Sequence, residues 1–469
     1  MLSSSISIIM PVYNQNRYIA DAIQSVINQT YAEWELIIVD DGSTDSTADI
    51  ITQFDDPRIR YIYQTNQGPS KARNTGIVTS SGQYITFLDA DDLFHPHKIE
   101  KQYAHLENDR DIGLSYTAHI EIDEKGLPLN LFRAPPRINL KSLVLGFPLG
   151  INNILLRRKW FEHVGGFDES IKVSEDRDFY IRLTYADCQF ERLDEYLVYR
   201  RLKSNRFINE IQLKVDEMVH VLESAFSNPL CPVEVLSLRN QAFCNLYLAW
   251  AYLAAIQDEI DLANEYFNKT YAIKSTSNSN QAEQYINFLV HASIRNGGDH
   301  EARIRKMFVS LPLEIGLMKK KCTWAIARGY FIRGLRDIMW DRNENGRGNF
   351  THAAALGAHI DKTLIKIMTT QLIDYESEYG PEDTQDFLQR LSPYLIEIGG
   401  YRILRWLKGS YSVNQAFEHY KNDKFKKAIT NMLQAIICNP FYLTNRGVIV
   451  VLIRSFIRSN FGSNSSKNN

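Results

Sequence analysis

Phe87-Leu88-Asp89-Ala90-Asp91-Asp92 carries three carboxylates within four positions, directly after the apolar run that ends at Thr86. The β-branched and aromatic residues of that run predict a buried strand, so the acidic residues stand where a strand leaves its sheet. Like charges this close repel unless water, a proton or a cation relieves them. Oxygen ligands suit hard divalent ions such as Mg²⁺ or Mn²⁺. The stretch therefore indicates either a cation site or a solvated acidic turn before a helix predicted from Pro96.

Composition bounds the class of protein. The chain has 469 residues, of which 44% are hydrophobic and 23% charged, with a net charge of −2. That length is enough for two or more domains with proper cores. The near-neutral charge lacks the positive excess that is typical of sequence-independent nucleic-acid binding, so we expect no nucleic-acid partner. The five cysteines are scattered without a C-x-x-C motif, which is typical of a reduced cytosolic protein.

Targeting signals are weak along the chain. Residues 1–5 lead straight into a strand-like segment, without the basic region and long apolar run of a signal peptide. No window reaches the roughly 18–20 apolar residues of a membrane span. The apolar run 448–453 is flanked by arginines and could touch an anionic bilayer, although a buried terminal helix is favoured. We expect a cytoplasmic protein, with at most peripheral contact at the inner face of the membrane.

Strands and helices alternate over the first hundred residues. Apolar runs predict strands at residues 7–10, 36–39, 59–63 and 84–88. Helical periodicity predicts helices at 18–30, 70–79 and 96–107, and a further helix after the second strand that ends at Phe54. Pro11 is expected to end the first strand, and Ser43 or Thr44 to cap the second helix. This alternation predicts an α/β fold with a mainly parallel sheet and helices on both faces.

The predicted sheet gathers polar residues at one edge. In parallel sheets, ligands bind outside the carboxyl ends of the strands. Tyr13, Asp40, Asp41 and the 89–91 segment each follow a predicted strand, so they should converge in space although they are distant in sequence. Further along, the pattern predicts strands at 113–122, 151–156 and 196–200, and a helix from Ser174 to Tyr185.

The amino-acid composition shifts near Asn205, and from there to about residue 459 the sequence predicts mostly helices. Residues 416–440 match the spacing of small and large side chains in a helix–turn–helix repeat of about 34 residues, with weaker copies near 251–267 and near Phe350. These copies resemble tetratricopeptide repeats, and a generic helical bundle is the alternative. Such a domain could bind a protein partner or orient an acceptor. The polar residues 460–469 predict a disordered tail.

Six segments in order carry a family resemblance: SIIMPVYN, ELIIVDDGSTD, NQGPSKARN, GQYITFLDADD, VGGFDE and SEDRDFYIRL. Together they resemble a family 2 glycosyltransferase domain of the GT-A type, over a little under half the chain. The resemblance implies a nucleotide-diphospho-sugar transferase domain over residues 1–205, followed by the all-α, repeat-like domain over 206–459.

The resemblance also implies a nucleotide site. Pro11 and Tyr13 match loop positions that face the nucleotide base, and Asp41 matches the carboxylate that accepts a hydrogen bond from the uracil ring N–H. Asp40 would support that turn. Arg73 matches a basic position near the sugar or diphosphate. The alternatives are a plain turn and helix cap for the two aspartates, and a surface helix position for the arginine.

Metal and catalytic roles follow from the same resemblance. Asp89 and Asp91 match the D-x-D pair: Asp91 would bind the metal, and Asp89 would contact ribose or metal-bound water, whereas Asp92 would cap or stay solvated. A divalent cation, Mn²⁺ or Mg²⁺, would act on the diphosphate as a Lewis acid. Asp176 matches the general base, with Glu175 as the fallback. A single base that activates the acceptor for in-line attack implies inversion at the anomeric carbon. First-turn acids favoured by the helix dipole are the alternative.

The chain departs from the family at one position. Many relatives carry a histidine after the last strand, where this sequence has Leu202. If that histidine binds the metal in relatives, this chain lacks that ligand. Lys203 or Arg206 could neutralise the diphosphate instead.

The same residues argue against two other enzyme classes. A sugar-nucleotide pyrophosphorylase would need a glycine-rich basic loop at residues 11–16, which contain no glycine. A processive synthase would need membrane helices. We therefore expect an inverting, non-processive glycosyltransferase that moves a sugar from a nucleotide donor, with UDP favoured, to a glycan, a lipid-linked glycan or another hydroxyl acceptor. The alternative is a catalytically vestigial scaffold that binds partners through its helical repeats.

Overall fold

The computed structural model describes residues 5–146, 149–203, 211–273, 279–295, 298–309, 311 and 321–461. Two compact units make up the chain, Met1–Cys322 and Thr323–Asn469. The boundary predicted near Asn205 lies outside the described residues and remains a prediction.

A mixed sheet forms the base of the first unit. Its described strands are β1 Ile6–Val12, β2 Trp34–Asp41, β3 Ile59–Gln64, β4 Tyr84–Phe87, β5 Leu93–Phe94, β6 Ile112–Ile122, β7 Pro128–Phe132, β8 Ile154–Arg157 and β9 Gln189–Arg201. The order is β3-β2-β1-β4-β8-β6-β9-β5, with β7 beside β6. The first four strands are mutually parallel, whereas β8 runs antiparallel to both of its neighbours. The predicted α/β fold is confirmed, with a mixed sheet in which four of the eight described strand pairings are parallel.

Helices connect these strands. The first seven are α1 Ile19–Ile27, α2 Thr47–Ile51, α3 Pro69–Thr79, α4 Lys98–Asn108, α5 Leu140–Leu145, α6 Arg158–Val164 and α7 Glu175–Tyr185. The unit continues through helices Ile211–Ser227, Val233–Leu236, Arg239–Ile256, Ile260–Ile273, Ser279–Arg295 and His300–Val309. All eight residues of β2 are buried, as expected for an inner strand covered on both faces.

Proline 11 does not end the first strand as predicted, because β1 continues to Val12 and Pro11 pairs with Val39 of β2. The peptide groups of Ile9 point toward β4, since its carbonyl accepts the hydrogen bond of Leu88 N–H. Two residues further along, Pro11 points the same way, but β4 pairing stops at Ile9. The missing N–H of proline therefore costs no ladder hydrogen bond.

The predicted cap of α2 is also wrong. That helix begins at Thr47, and neither Ser43 nor Thr44 caps it. Asp45 Oδ1 instead accepts from Thr47 N at 3.0 Å. The hydroxyl of Ser43 accepts from Asn14 N at 3.0 Å, so the turn is used to hold the end of β1.

The second unit is helical. Its described helices are Cys322–Met339, which begins at the unit boundary, Asn343–Ala355, Lys362–Lys421, Phe425–Cys438 and Arg446–Phe461. The long segment is interrupted at Gly380 and Gly400, whose φ values of +89° and +71° only glycine adopts easily. The tetratricopeptide-like assignment and a protein partner remain predictions, and residues 462–469 of the predicted tail lie outside the described part.

The apolar run near the end of the chain belongs to the helix Arg446–Phe461. Val448 and Val451 are buried in a cluster with Ala416 and Met432. In the part of the chain that the structure describes, no helix combines the length and the apolar character needed to cross a bilayer.

Candidate functional site

A cavity of about 520 Å³ opens at the carboxyl ends of β1, β2 and β4. Seven of the nine predicted site residues line it: Pro11, Tyr13, Asp41, Arg73, Asp89, Asp91 and Glu175. Asp40 and Asp176 do not line it, although each is adjacent in sequence to a residue that does. The expectation that residues far apart in the chain converge on one rim is therefore met for most of the set.

At one side of the cavity, Asp41 organises the loop before α3. Its Oδ1 accepts from Gln64 Nε2 at 2.7 Å and from Gln67 N at 2.9 Å, and its Oδ2 accepts from Gly68 N at 2.8 Å. Asp40 is fully buried, where Oδ1 accepts from Ser43 N and Oδ2 from the Tyr61 hydroxyl, both at 2.8 Å. Asp40 thus fixes the turn and Asp41 fixes the loop.

The acidic stretch forms a tight cluster. Oxygens of Asp89, Asp91 and Asp92 lie within 4.8 Å of one another. Asp92 was predicted to cap the next helix or to stay solvated, and it does neither: α4 has no side-chain cap. Asp92 is 1% exposed and accepts from Asn152 Nδ2 at 2.5 Å and from Arg201 N at 2.7 Å. These two bonds hold Asp92 inside the protein and leave Asp89 and Asp91 at the cavity.

Asn152 is a site residue that the sequence analysis missed. It is buried in the 3₁₀ turn Ile151–Asn153, and its Oδ1 accepts from Asp89 N at 2.9 Å. Its Nδ2 donates to Asp92 and, at 3.4 Å, to Asp89 Oδ2. One amide therefore supports both carboxylates. The available signal was a pair of asparagines at the start of an otherwise apolar strand.

Arg73 is buried, which excludes the alternative of a surface helix position. Its Nη2 donates to Asp89 Oδ1 at 3.0 Å and its Nη1 donates to Glu175 Oε1. Burial alone would lower the pKa of the guanidinium, but the carboxylates of Glu175 and Asp89 outweigh burial and raise it. The arginine therefore stays charged and joins the acidic cluster to the start of α7.

The first turn of α7 supplies the two candidate bases. Ser174 precedes it with a φ of +74°, in the left-handed region. Glu175 is engaged by Arg73, whereas Asp176 accepts from the backbone of Arg177 at 2.9 Å. Burial raises the pKa of Asp176, the Glu175 carboxylate raises it further, and Arg73 opposes both, which leaves the pKa at about 7. Asp176 can therefore take up a proton near neutral pH.

Lys203 lies against the acidic cluster. Its Nζ is 2.8 Å from Asp91 Oδ2 and donates to Gln15 Oε1 at 2.8 Å. The same nitrogen stands 4.9 Å from the centre of the Tyr18 ring. Leu202, at the family's histidine position, donates its backbone N–H to Ile122 and offers no ligand side chain. Arg206, the other predicted cation, lies outside the described residues.

Charge compensation is thus built in on both sides of the cluster. Asp89 faces Arg73 and Asp91 faces Lys203, while Asp92 accepts from Asn152 Nδ2. An anionic ligand in the cavity would meet Arg73, with Lys203 nearby against Asp91, and a divalent cation would meet the carboxylates of Asp89 and Asp91. The site is therefore suited to a ligand that carries both, such as a metal-bound diphosphate.

Comparisons with known proteins match part of this chain to glycosyltransferases. Residues 7–165 match the sequence profile described as glycosyl transferase family 2. An uncharacterized glycosyltransferase of Rickettsia typhi is 33% identical over 251 residues, which cover 50% of this chain and 76% of the relative. TuaG of Bacillus subtilis, named for teichuronic acid biosynthesis, is 32% identical over 43% of this chain and 80% of its own length.

Other matches are partial. An uncharacterized glycosyltransferase of Rickettsia felis is 30% identical over 55% of this chain. The matched part covers only 44% of that relative's length. Among solved structures, S. aureus TarS 1–349 in complex with UDP-GlcNAc has a TM-score of 0.42 at 16% identity, covering 76% of this chain and 93% of that one. A likeness at that level says nothing about substrate.

Proposed function

Because the chain belongs to the family 2 glycosyltransferases, we propose that it transfers a sugar from a nucleotide-diphosphate donor to a hydroxyl group. The observation that carries this proposal is the convergence of Asp41, Arg73, Asp89, Asp91 and Glu175 around one cavity. These residues come from four separate segments of the chain. A vestigial scaffold would have no need to keep an acidic cluster, two cations and a supporting asparagine together.

The donor would lie along the carboxyl ends of β1 and β2. Tyr13 is 47% exposed beside the cavity, which supports stacking on a nucleotide base. Asp41 has both oxygens engaged by the loop that precedes α3, and we propose that it contacts the base from that position. Uracil is the first base to test, because the family resemblance of this segment implies it.

The residues present fit a divalent cation. Asp91 would hold it, with Asp89 as a second or water-mediated ligand, since hard cations take carboxylate oxygens and phosphate. Bound Mn²⁺ or Mg²⁺ would stabilise the charge that develops on the leaving diphosphate. Arg73 would hold Asp89 in place, and Lys203 would add positive charge at the same end of the cavity.

Asp176 is the proposed general base. A pKa of about 7 suits a group that must accept a proton from the acceptor hydroxyl near neutral pH. Glu175 lines the cavity, which Asp176 does not, but we propose it as the weaker candidate because its carboxylate is tied to Arg73. With a single base on the face opposite the leaving group, the product would have inverted configuration at the anomeric carbon.

The acceptor is proposed as a growing glycan or a lipid-linked glycan. The name of the Bacillus relative, a teichuronic acid biosynthesis glycosyltransferase, supports a polysaccharide acceptor. The helical second unit could orient that acceptor or recruit a protein partner.

Calorimetric titration of UDP, GDP, dTDP and CDP, each with Mn²⁺, Mg²⁺ or a chelator, tests the proposal. One nucleotide should bind in a metal-dependent way, and Asp91→Asn should abolish that dependence. The exposed Asp111→Asn is the matched control and should bind like the wild type. A ligand at 100 times its Kd should also stabilise the fold by about 2.7 kcal/mol. A folded wild type that binds none of the four nucleotides would overturn the proposal and favour the scaffold.

A further inference from the structure

The helix Arg446–Phe461 is apolar on two sides. One side packs into the second unit through Val448 and Val451. Away from those positions, four apolar side chains keep between 44% and 57% of their surface exposed: Val450, Ile453, Phe456 and Ile457. Positions 450, 453 and 457 have helical spacing and share one face of the helix. A soluble helix normally presents polar residues there.

The exposed apolar character extends into the preceding segment. Leu433 and Ile437 lie one turn apart on the helix Phe425–Cys438, and Phe441 and Leu443 follow it; all four are between 49% and 79% exposed. Eight large apolar side chains are therefore exposed within residues 433–457. Exposed apolar side chains are normal when scattered singly, whereas a concentration of this kind marks an interaction surface.

Positive charge accompanies these side chains. Residues 421–461 contain seven Lys and Arg residues and one acidic residue, Asp423, although the whole chain has a net charge of −2. Lys424, Lys426 and Lys427 line a cavity of about 440 Å³ together with Asp423, Phe425 and Ser459. The exposed Arg446 and Arg454 have helical spacing with Val450, Ile453 and Ile457, so they add positive charge to the exposed apolar face itself.

We propose that this basic–apolar surface, formed by the exposed residues of 421–459, docks the protein on an anionic lipid bilayer. The apolar side chains would enter the boundary between headgroups and acyl chains, and the lysines and arginines would contact lipid phosphates. Association with a second copy would instead bring two equally cationic surfaces together, because an isologous contact places the same patch on both sides. The charge therefore favours a membrane, and the inference does not depend on the proposed catalytic function.

Flotation of the full chain with extruded vesicles tests the inference. The vesicles are phosphatidylcholine alone or with roughly 30% phosphatidylglycerol, a fraction that gives a negative surface. The wild type should float only with the anionic vesicles and detach at high salt. Arg446→Gln/Arg454→Gln and Ile453→Ser/Ile457→Ser should each lower partitioning roughly tenfold or more. All four positions are exposed, so the variants should keep the wild-type circular dichroism and Tm.

The matched control is Leu230→Ser/Val233→Ser, which removes two apolar side chains that are 70% and 79% exposed in the first unit. It should float like the wild type. No binding of wild type to anionic vesicles, or equal binding by the wild type and both surface variants, would overturn the inference. So would light scattering that shows a dimer which Ile453→Ser/Ile457→Ser converts to a monomer without changing flotation. Calorimetric nucleotide binding, measured in parallel, separates this result from the proposed function.

Discussion

At the scale of single residues, the candidate site is a set of charges that the chain itself balances. Arg73 joins Asp89 to Glu175, and Lys203 faces Asp91 at 2.8 Å. Burying such a pair carries a desolvation cost even while both members are present, and removal of one member leaves the other charge uncompensated. The balance also means that any incoming cation or anion must compete with a side chain already in place.

Lys203 gives the first prediction. Because its ammonium group lies against Asp91, it should oppose metal binding until a diphosphate offers it another partner. Lys203→Gln should therefore bind Mn²⁺ roughly tenfold more tightly than the wild type in the absence of nucleotide, since one nearby positive charge is removed. Electron paramagnetic resonance of free Mn²⁺ measures this affinity directly. The opposite effect is expected for UDP, whose affinity should fall.

The control for Lys203 is Lys269→Gln, which removes an exposed lysine paired with Glu265 on a helix away from the cavity-lining residues. It should leave the Mn²⁺ affinity unchanged. Equal Mn²⁺ affinities for Lys203→Gln and the wild type would show that the ammonium group does not compete with the metal.

Asp176 gives the second prediction, in which stability and activity move in opposite directions. Its pKa is raised to about 7 in the folded protein, whereas an unfolded aspartate ionises near its ordinary value of 3.8. Between those values the folded state holds a proton that the unfolded state has lost, so stability falls as pH rises from about 4 to about 7. Asp176→Asn should match the wild type in Tm at pH 4 and exceed it by several degrees at pH 8.

Activity should report the same ionisation. The kcat/KM of the wild type should rise with pH through about 7, and Asp176→Asn should lose roughly 10²–10⁴ in rate, as expected for removal of a general base. The exposed first-turn acid Asp261 serves as the control, and Asp261→Asn should change neither quantity much. A lower Tm for Asp176→Asn at pH 8 would contradict the raised pKa.

At the scale of elements, long apolar runs and helical periodicity were enough to predict the strands and helices that show those patterns. The inner strands and the helices α1, α3, α4 and α7 follow from such patterns. The short strand β5 has only two residues, and β7 begins with Pro128, so neither shows a strand pattern. α5 depended on a reciprocal cap between Asn139 and Ser142 in a stretch with no strong period.

The candidate site was also predictable only in part. Carboxylates at strand ends follow from the rule that ligands bind there, which located Asp41, Asp89 and Asp91. The burial of Asp92 and the bridging role of Arg73 required partners more than fifty residues away, Asn152 and Glu175. A single sequence does not encode such pairings as a local pattern, so these contacts emerge only from the folded chain.

Gly76 gives a prediction about an element. On α3, a Cβ at this position would lie 2.5 Å from Ile9 Cγ2 of β1, so the helix packs closely because a side chain is missing. Gly76→Ala should destabilise the protein by about 1–2 kcal/mol, because overpacking outweighs the gain in helix propensity. Urea unfolding measures the change.

Gly348→Ala is the matched control for Gly76. It lies on the helix Asn343–Ala355 with nothing within 4 Å of the added Cβ, so only the propensity gain applies. It should stabilise the protein by about 0.5–1 kcal/mol. Stabilisation by both substitutions would show that packing against β1 does not limit position 76.

At the scale of the whole molecule, the two units carry different surfaces. All residues that line the candidate active site lie between Pro11 and Glu175, within the unit Met1–Cys322. The basic–apolar surface lies within Thr323–Asn469. A transferase that acts on lipid-linked or membrane-associated glycans would benefit from such a division, because one unit can bind the donor while the other holds the protein at the bilayer.

This division gives the last prediction. Residues 1–322 produced alone should bind the preferred nucleotide within about twofold of the full chain, because a site contained in one unit keeps its contacts when the other unit is removed. Residues 323–469 produced alone should unfold cooperatively, bind no nucleotide and still float with anionic vesicles. Calorimetry and flotation on both fragments measure the two activities separately. A folded 1–322 fragment that loses nucleotide binding would show that the donor site depends on the helical unit, and flotation by 1–322 alone would place membrane binding elsewhere.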